Sequence, residues 1–354
     1  MTQYDLTKEA ISLLKQLIET QSFSSEEDQT ALLIEAWFKE NNIDYKRTKN
    51  NVWAINKYFD SNKPTLLLNS HHDTVKPNNG YTKDPFKAIV EDGKLYGLGS
   101  NDAGGCLVSL LAIFAYFYEN DSLKYNLVIV ASAEEESSGQ NGLNSMLSVI
   151  PKIDVAIVGE PTLMHLAVAE KGLVVFDAEI IGTPSHAAHP NDNNAIYNTI
   201  EVLQWFKEYT FENTSNTLGD VKMTVTQINA GKQHNAVPAN VKLVVDVRVN
   251  DKYSNKEIVD ILQKVAPCDS IIPRSIRLNS SSIPVNHELV KAGIEIGRNT
   301  YGSPTLSDQA VLSCPSLKLG PGDSKRSHSA DEFIYLNEIE EGIKIYIQLL
   351  EKVL

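Results

Sequence analysis

Cysteine and positive charge are both scarce in this chain of 354 residues. Three cysteines occur, Cys106, Cys268 and Cys314, and they are widely spaced, with no Cys-x-x-Cys pair. This argues against a disulfide framework and against a thiolate zinc site. The 45 acidic residues outnumber the 32 basic ones, which gives a net charge of -13. Because no basic stretch compensates, a nucleic-acid partner is not expected.

Long apolar runs are missing as well. No stretch approaches the roughly 20 apolar residues that cross a membrane. The first residues, Met1-Thr2-Gln3-Tyr4-Asp5, lack the basic and apolar pattern of a signal sequence. The sequence therefore predicts a cytoplasmic protein without a membrane partner. The hydrophobic fraction of 42% is typical of a globular protein, and the length favours two domains.

Four short apolar runs are each followed by a residue that can bind a metal ion. If these runs are strands of one mostly parallel sheet, the side chains beyond their carboxyl ends converge at one edge. Two imidazoles with three or more carboxylates suit Zn²⁺ better than Ca²⁺ or Mg²⁺, which prefer oxygen ligands. Together with Asp102 the set predicts a metal site for hydrolysis. The runs are 66–68 before His71, 127–130 before Glu135 and Glu136, 155–158 before Glu160, and 317–319 before His328.

The order of predicted elements divides the chain into two domains. Residues 1–172 and 284–354 alternate between strands and helices, which predicts an α/β domain with helices on both faces of its sheet. Residues 173–283 predict an inserted ferredoxin-like α+β domain with the order β-α-β-β-α-β. The inserted elements are strand 173–181, helix 194–209, strands 222–229 and 240–250, helix 255–265 and strand 276–279. The helices of the larger domain are predicted at 6–18, 25–41, 104–119 and 142–150 and at the C-terminus.

The segment Ser70-His71-His72-Asp73 places an imidazole and a carboxylate two residues apart. In an extended segment both face the same way, so Asp73 can fix the tautomer of His71 while the other ring nitrogen binds metal. His72 would then point away. Taken alone, this motif is more commonly a buried, satisfied pair.

The glycine-rich turn at 97–105 surrounds Asp102. It is not a phosphate loop, because it lacks the Gly-Lys-Ser/Thr ending and Asp102 would repel phosphate. The glycines let the backbone bend around a carboxylate at the start of a helix. That carboxylate either caps the helix or bridges two cations.

Three acidic residues, Glu134, Glu135 and Glu136, follow one of the apolar runs. Adjacent negative charges near a crevice destabilise the fold unless a cation is present. One of them can bind metal while a neighbour stays free as a general base. Strand alternation places Glu134 and Glu136 on one side and Glu135 on the other, unless the turn rotates them.

Together, in this order and over essentially the whole chain, the motifs resemble the dinuclear zinc deacylase and peptidase family of N-acetylornithine deacetylase, succinyl-diaminopimelate desuccinylase and aminoacylase. The resemblance implies a zinc-exopeptidase-like fold with the inserted domain acting as a lid and dimerisation domain. The segments that carry it are His71-x-Asp73, Asp102 in its turn, Glu135-Glu136, Gly159-Glu160-Pro161-Thr162, 314–322 and His328-Ser329-Ala330-Asp331-Glu332.

The resemblance implies two zinc ions, with cobalt or manganese as alternatives. Asp102 bridges them, His71 and Glu160 bind one ion, and Glu136 and His328 bind the other. Glu135 is then the general base and Asp73 supports the catalysis. Because Glu134 stands where aspartate is common in the family, which glutamate is the base stays open.

The inserted domain is expected to supply three further groups. The resemblance implies that His186, often from the partner subunit of a homodimer, stabilises the oxyanion, while Asn235 and Arg248 bind polar groups and the carboxylate of the substrate. Each of the three residues also fits a simpler role. His186 and His189 fit a surface metal pair or ordinary turn residues, and Arg248 fits a structural ion pair.

The implied activity is hydrolysis of the amide bond of an N-acyl-L-amino acid. Residues 314–332 are most similar to N-acetylornithine deacetylases, which favours N-acetyl- or N-succinyl-L-ornithine in arginine biosynthesis. A succinyl-diaminopimelate desuccinylase or an aminoacyl dipeptidase is the alternative. A non-catalytic binding protein on the same scaffold is the alternative from a different class.

Overall fold

The computed structural model describes residues 3–354, which form two compact units. The first unit comprises the chain up to Val168, Ser282–Tyr301 and Ser307–Leu354, and the second comprises Ala169–Ser281 and Gly302–Leu306. The short segment Gly302–Leu306 was predicted to lie in the larger domain. It belongs to the second unit because Gly302 lies directly against the main chain of Thr217, and the carbonyl of Ser303 accepts the N–H of Lys171 at 3.2 Å.

Helices and strands alternate through much of the described chain. The α-helices are α1 (Gln3–Ile18), α2 (Asp28–Glu40), α3 (Gly105–Phe117), α4 (Leu143–Met146), α5 (Ala195–Glu208), α6 (Asn255–Val265), α7 (Glu288–Glu295) and α8 (Leu336–Leu350), and shorter helical turns span Ser100–Gly104, Asp308–Val311 and Ser324–Arg326. The strands are β1 (Tyr45–Thr48), β2 (Asn51–Ile55), β3 (Thr65–His71), β4 (Ile89–Glu91), β5 (Lys94–Tyr96), β6 (Asn126–Ser132), β7 (Val155–Val158), β8 (Leu166–Glu170), β9 (Gly172–Ile181), β10 (Ser185–His186), β11 (Lys222–Ala230), β12 (Ala236–Val237), β13 (Asn240–Val249), β14 (Ser270–Pro273), β15 (Ser281–Ser282), β16 (Thr300–Ser303), β17 (Ser316–Lys318) and β18 (Phe333–Tyr335).

The large sheet has the strand order β1-β2-β6-β3-β7-β17-β8-β15, with β16 beside β8. Its centre is parallel, since β3 pairs in parallel with β6 and β7, and β17 pairs in parallel with β7. These four strands are the apolar runs seen in the sequence. Their carboxyl ends share one edge, which confirms the predicted sheet and positions the site.

Helices cover both faces of this sheet, as predicted. On one face α1, α2, α3 and α8 enclose the largest apolar core of the described residues, which includes Leu66, Leu68 and Ile129. On the other face α4 and the turn at 308–311 enclose a smaller core around Leu67 and Val130. The segment Ser100–Phe117 is long and apolar enough to cross a membrane, but 83% of it is buried inside the fold, as in a core helix.

The second unit contains a four-stranded antiparallel sheet with the order β11-β13-β9-β14. Helices α5 and α6 pack on one face of it around Phe176, Val245 and Leu262. This is the predicted ferredoxin-like order, but the last strand is β14 at Ser270–Pro273 and not 276–279. The shift arises because Ile271 pairs with Ala178 and enters the core, whereas Ile276 is exposed.

Two predicted helices are shorter than expected. Helix α2 begins at Asp28 and not at Ser25, because Ser25 has a φ of +73° and belongs to the preceding turn. Helix α4 covers only Leu143–Met146 of the predicted residues 142–150.

Candidate metal centre

The candidate ligands converge at the carboxyl edge of the parallel strands. His71 Nε2 lies 3.4 Å from Asp102 Oδ1, 3.8 Å from Glu160 Oε1 and 4.0 Å from Glu135 Oε2. On the other side of Asp102, His328 Nε2 lies 3.0 Å from Glu136 Oε2. Residues separated by more than 250 positions in the chain therefore share one site, as the strand ends predicted.

Asp102 lies between the two imidazoles. Its Oδ1 faces His71 Nε2 at 3.4 Å, and its Oδ2 faces His328 Nε2 at 3.6 Å. The turn that carries it begins after Gly99, whose φ of +73° favours glycine, and the peptide bond from Asp102 to Ala103 is cis. A carboxylate with one oxygen toward each imidazole has the arrangement that a ligand bridging two cations requires.

The acidic turn does not follow strand alternation. Strand β6 ends at Ser132, and Glu134 has a φ of +55°, which turns the chain. The Glu134 carboxylate accepts hydrogen bonds from the main-chain and side-chain N–H groups of Asn141 and from Ser25 Oγ. Glu135 and Glu136 both reach the site instead. The turn therefore rotates these residues, which is the exception that the sequence left open.

Asp73 acts differently from the prediction. The His71 Nδ1 atom lies 2.9 Å from the main-chain carbonyl of Asp73, whereas the Asp73 carboxylate is 3.5 Å away. The nearer carbonyl fixes the tautomer with Nε2 directed at the site. The Asp73 carboxylate accepts the N–H of Glu135 at 3.0 Å, the N–H of Glu136 at 3.1 Å and a hydrogen bond from Ser24 Oγ at 2.6 Å. As predicted, His72 points elsewhere, toward Thr30 and Asn50.

Burial and crowded negative charge set the protonation of the site. Burial, with the charges of Glu160, Asp308 and Glu136, holds the pKa of Glu135 well above its usual range. Burial alone would lower the pKa of His71, but the carboxylates of Asp102 and Asp73 raise it above its usual value. The hydrogen bond to Glu136 raises the pKa of His328 to about 9.

These residues fit a pair of divalent cations. His71 Nε2 is buried and makes no hydrogen bond within the part of the chain that the structure describes. Ligands of a tetrahedral zinc ion, with bonds of about 2.0–2.1 Å, lie about 3.3 Å apart. The separations of 3.4 Å from His71 to Asp102 and of 3.0 and 3.6 Å from His328 to Glu136 and Asp102 match this value. Ligand atoms of His71, Asp102 and Glu136 lie within 4.8 Å of one another, as do those of His71, Glu135 and Glu160, so His71 belongs to both groups.

Cys106 is a core residue, as expected. Its Sγ donates a hydrogen bond to the carbonyl of Pro321 at 3.2 Å, and burial raises the pKa of the thiol well above its usual value. A buried, protonated thiol is a poor nucleophile.

Two carboxylates near the site, the buried Glu332 and the half-buried Asp308, were not assigned a role from the sequence. Glu332 accepts main-chain hydrogen bonds from the Asp102 turn. Asp308 accepts a hydrogen bond from Ser132 Oγ at 2.6 Å, and burial raises its pKa to about 6. Neither follows an apolar strand run, so no sequence signal distinguishes them from surface acids. Glu332 stands in the segment His328-Ser329-Ala330-Asp331-Glu332 that carries the resemblance, but the sequence assigned it no role.

The three predicted groups of the inserted domain lie in the second unit. His186 is exposed on β10, which pairs with β12, and the carbonyl of Asn235 accepts the N–H of Ala187 at 3.0 Å. His186 and Asn235 thus belong to one local substructure. The Arg248 guanidinium makes a two-point ion pair with Asp246, at 2.9 and 3.1 Å. The structural ion pair that the sequence left open is therefore formed.

The sheet, the inserted unit and the candidate metal ligands are those of a metallohydrolase. The sequence model of peptidase family M20/M25/M40 matches residues 67–352, and the chain belongs to this family. The resemblance inferred from the motifs is confirmed, and with it the assignment of the protein as a hydrolase.

Relatives match over most or all of their length. A succinyl-diaminopimelate desuccinylase of Rickettsia akari is 25% identical over 97% of this chain and 100% of the relative. An acetylornithine deacetylase of Shigella sonnei is 27% identical over 96% of each chain. Among solved structures, a tripeptidase from Staphylococcus aureus has a TM-score of 0.78 at 19% identity, covering 98% of both chains. A dinuclear metal-binding peptidase from Bacillus subtilis has a TM-score of 0.76 at 15% identity, also covering 98% of both. These structures share the fold.

Proposed function

We propose that this protein is a zinc-dependent deacylase that hydrolyses the amide bond of an N-acyl-L-amino acid. The observation that carries the proposal is the position of Asp102, with one carboxylate oxygen toward each of His71 and His328. His71 and Glu160 would hold one ion, Glu136 and His328 the other, and Asp102 both. When bound, the ions would lower the pKa of water and polarise the amide carbonyl.

Glu135 is proposed as the general base. Its Oε2 lies 4.0 Å from His71 Nε2, and its raised pKa suits a group that takes a proton from water and returns it to the leaving amine. Glu134 is less suited, because burial alone would raise its pKa but the hydrogen bonds from Asn141 and Ser25 hold it below its usual value. A carboxylate committed to those donors is not free to carry a proton. The contacts therefore favour Glu135 over its neighbour.

The second unit is proposed to bind the rest of the substrate. His186 would donate to the developing oxyanion, and Asn235 would bind a polar group of the substrate. The pair with Asp246 uses Nε and Nη2 of Arg248, so the Nη1 edge of the guanidinium can donate to a substrate carboxylate. We therefore propose Arg248 as the carboxylate site with Asp246 as the partner that holds the guanidinium.

An N-acyl-L-ornithine, acetylated or succinylated, is the proposed substrate, which would place the protein in arginine biosynthesis. The acetylornithine deacetylases among the relatives support it. Full-length similarity to succinyl-diaminopimelate desuccinylases supports succinyl-diaminopimelate as the alternative substrate. The peptidases among the solved structures are the reason to test a dipeptide as well.

The test is release of a free amine from four compounds by the zinc-loaded protein. These are N-acetyl-L-ornithine, N-succinyl-L-ornithine, N-succinyl-diaminopimelate and a dipeptide, each assayed beside the Glu135→Gln variant. We expect the highest kcat/KM with one of the ornithine derivatives. Cleavage of the dipeptide alone would overturn the biosynthetic assignment, and cleavage of none of them would overturn the deacylase assignment.

A homodimer formed through the second unit is also proposed. Three apolar side chains of α5 are exposed, Ile196 at 44%, Tyr197 at 69% and Ile200 at 64%. Strand β11 is an edge strand of the same unit, and it exposes Ile228 at 56%. An edge strand with one unpaired side, beside exposed apolar residues, is suited to pair with a second copy.

A further inference from the structure

Glu332 is a buried carboxylate that is not among the proposed metal ligands. Its side chain is 2% exposed and accepts three main-chain hydrogen bonds. Oε1 accepts the N–H groups of Asn101 at 2.8 Å and Asp102 at 2.9 Å, and Oε2 accepts that of Gly99 at 3.2 Å. All three donors lie in the turn that carries Asp102. Glu332 itself lies four residues after His328.

The main chain reinforces this connection. The carbonyl of Glu332 accepts the N–H of Gly97 at 3.0 Å, so both ends of the residue are joined to the Asp102 turn. Strand β18, which begins at the next residue, pairs with β5 immediately before the turn. The segment leaving His328 is thus fixed to the segment entering Asp102.

Asn101 makes the matching connection on the other side of His328. Its Oδ1 accepts the N–H of Asp323 at 3.1 Å, and its Nδ2 donates to the carbonyl of Asp323 at 3.1 Å. Asn101 is fully buried. The loop from 323 to 332, which presents His328, is therefore fastened to the Asp102 turn at both ends.

Burying a carboxylate destabilises the fold unless hydrogen bonds satisfy its oxygens. The hydrogen bonds that Glu332 accepts must therefore offset this cost. Three hydrogen bonds from main-chain N–H groups satisfy both side-chain oxygens, while burial and the charge of Asp102 raise the pKa of Glu332 to about 8. The hydrogen bonds also orient the peptide planes that lead into the Asp102 side chain. An error in that orientation would change the 3.6 Å separation between Asp102 Oδ2 and His328 Nε2.

We infer that Glu332 is a positioning residue that sets the distance between Asp102 and His328 and thereby the affinity for the ion that these two residues share with Glu136. The inference rests on the proposed metal centre. It does not depend on which amide the enzyme cleaves. Glu332 acts through the main chain of the Asp102 turn and touches neither the ion nor the substrate.

The test is metal titration of the full-length Glu332→Gln protein. Glutamine keeps the volume but offers one acceptor oxygen for three donors and places an NH₂ group against N–H groups. We expect the parent protein to bind two Co²⁺ ions. E332Q should bind the ion shared by Asp102, Glu136 and His328, called the second ion, 10–100-fold more weakly, which is the range typical when a group supporting a metal ligand is changed. The visible spectrum of the bound Co²⁺ should change for that ion.

Asp154→Asn is the control for loss of a carboxylate that accepts a main-chain N–H group at the other end of β3, although Asp154, unlike Glu332, is exposed. Asp154 Oδ2 accepts the N–H of Thr65 at 2.9 Å, at the end of β3 opposite His71. We expect D154N to lower thermal stability without changing the two affinities or the spectrum. Two full-affinity sites with the parental spectrum in E332Q would overturn the inference.

Two further variants keep the inference testable if E332Q does not fold. Glu332→Asp keeps the charge but shortens the side chain by one methylene, and Asn101→Ala removes the other fastening. Each variant should lower the affinity for the second ion, and unchanged affinity in both variants would overturn the inference. If the parent binds two ions but cleaves no amide, the proposed function fails while this inference stands.

Discussion

The carboxylate of Asp73 holds the main chain of Glu135 in place. Asp73 Oδ1 accepts the N–H of Glu135 at 3.0 Å, and Oδ2 accepts the N–H of Glu136 at 3.1 Å. The carbonyl of the same residue lies 2.9 Å from His71 Nδ1. One residue therefore orients a proposed ligand from each ion site together with the proposed base.

Asp73→Asn is expected to lower kcat by about 10–100-fold while the protein stays folded. Asparagine must turn its NH₂ group toward one of the two N–H donors, so the acidic turn loses one of its two fixed points. Metal content should remain close to that of the parent, because His71 keeps its contact with the carbonyl. The measurements are kcat and metal analysis after dialysis.

Asp331→Asn is the control for Asp73→Asn. The Asp331 carboxylate also accepts two main-chain N–H groups, those of Thr82 and Lys83, but it is only half-buried and holds a different loop. It should leave kcat near the parental value. Parental turnover in D73N would show that the acidic turn does not need this support.

Glu135→Gln and Glu134→Gln should separate the two candidate bases. Removing a general base typically costs about 10²–10⁴-fold in rate, and we expect this loss in E135Q with both ions still bound. E134Q should lose less than about tenfold in rate, because Glu134 is hydrogen-bonded to Asn141 and Ser25 and stabilises only the turn. Rates under saturating substrate decide between them. A greater loss in E134Q than in E135Q would reverse the assignment.

The sequence revealed the sheet and the ligands because both depend on local patterns. Apolar runs such as 66–68 and 155–158 define buried parallel strands, and the order of parallel strands brings His71 and Glu160 to one edge. What it missed depends on turns. The side taken by Glu134 stayed open, because its positive φ follows the end of β6, where strand alternation no longer applies.

Carboxylates that accept hydrogen bonds from residues distant in sequence could not be predicted either. Glu332 and Asp73 are identified by which main-chain N–H groups they meet, and those donors are 62 or more positions away in sequence. A single sequence contains no signal for such a bond, because any acidic residue can accept it. The misplaced last strand of the second unit has a related cause. Residues 270–273 and 276–279 are both short apolar segments, and only pairing with β9 selects the first.

Metal binding should release protons and strengthen with rising pH. In the metal-free protein the hydrogen bond to Glu136 raises the pKa of His328 to about 9, so the ring is protonated at pH 7 and must lose that proton to become a ligand. Affinity for the ion at His328 should therefore rise about tenfold per pH unit for this proton up to about pH 9, and level off above it. Titration calorimetry in buffers of different ionisation enthalpy measures the released protons.

His328→Gln is the variant that isolates this proton. It removes the titrating ring, so the number of protons released should fall by about one at pH 7 and the pH dependence should flatten. The same proton release in H328Q and in the parent would assign the effect to other groups of the site.

Tyr197→Asp combined with Ile200→Asp should convert the proposed dimer to a monomer. Both side chains are exposed on α5, at 69% and 64%, so the charges are tolerated in the free chain but not in an apolar interface. Light scattering gives the mass, and circular dichroism shows that the fold is kept. Ile272→Asp is the matched control, because Ile272 is 60% exposed on the opposite edge strand, β14.

If His186 reaches the site of the other subunit, the monomer should also lose activity. Loss of one oxyanion donor typically lowers kcat by about 10²–10³-fold. The α5 double variant and His186→Ala should then show similar losses in kcat while both keep their metal ions. Mixing His186→Ala with Glu135→Gln offers a stringent check, because each heterodimer would contain one site with every group intact. A fully active monomer would instead require that any oxyanion donor come from the same chain.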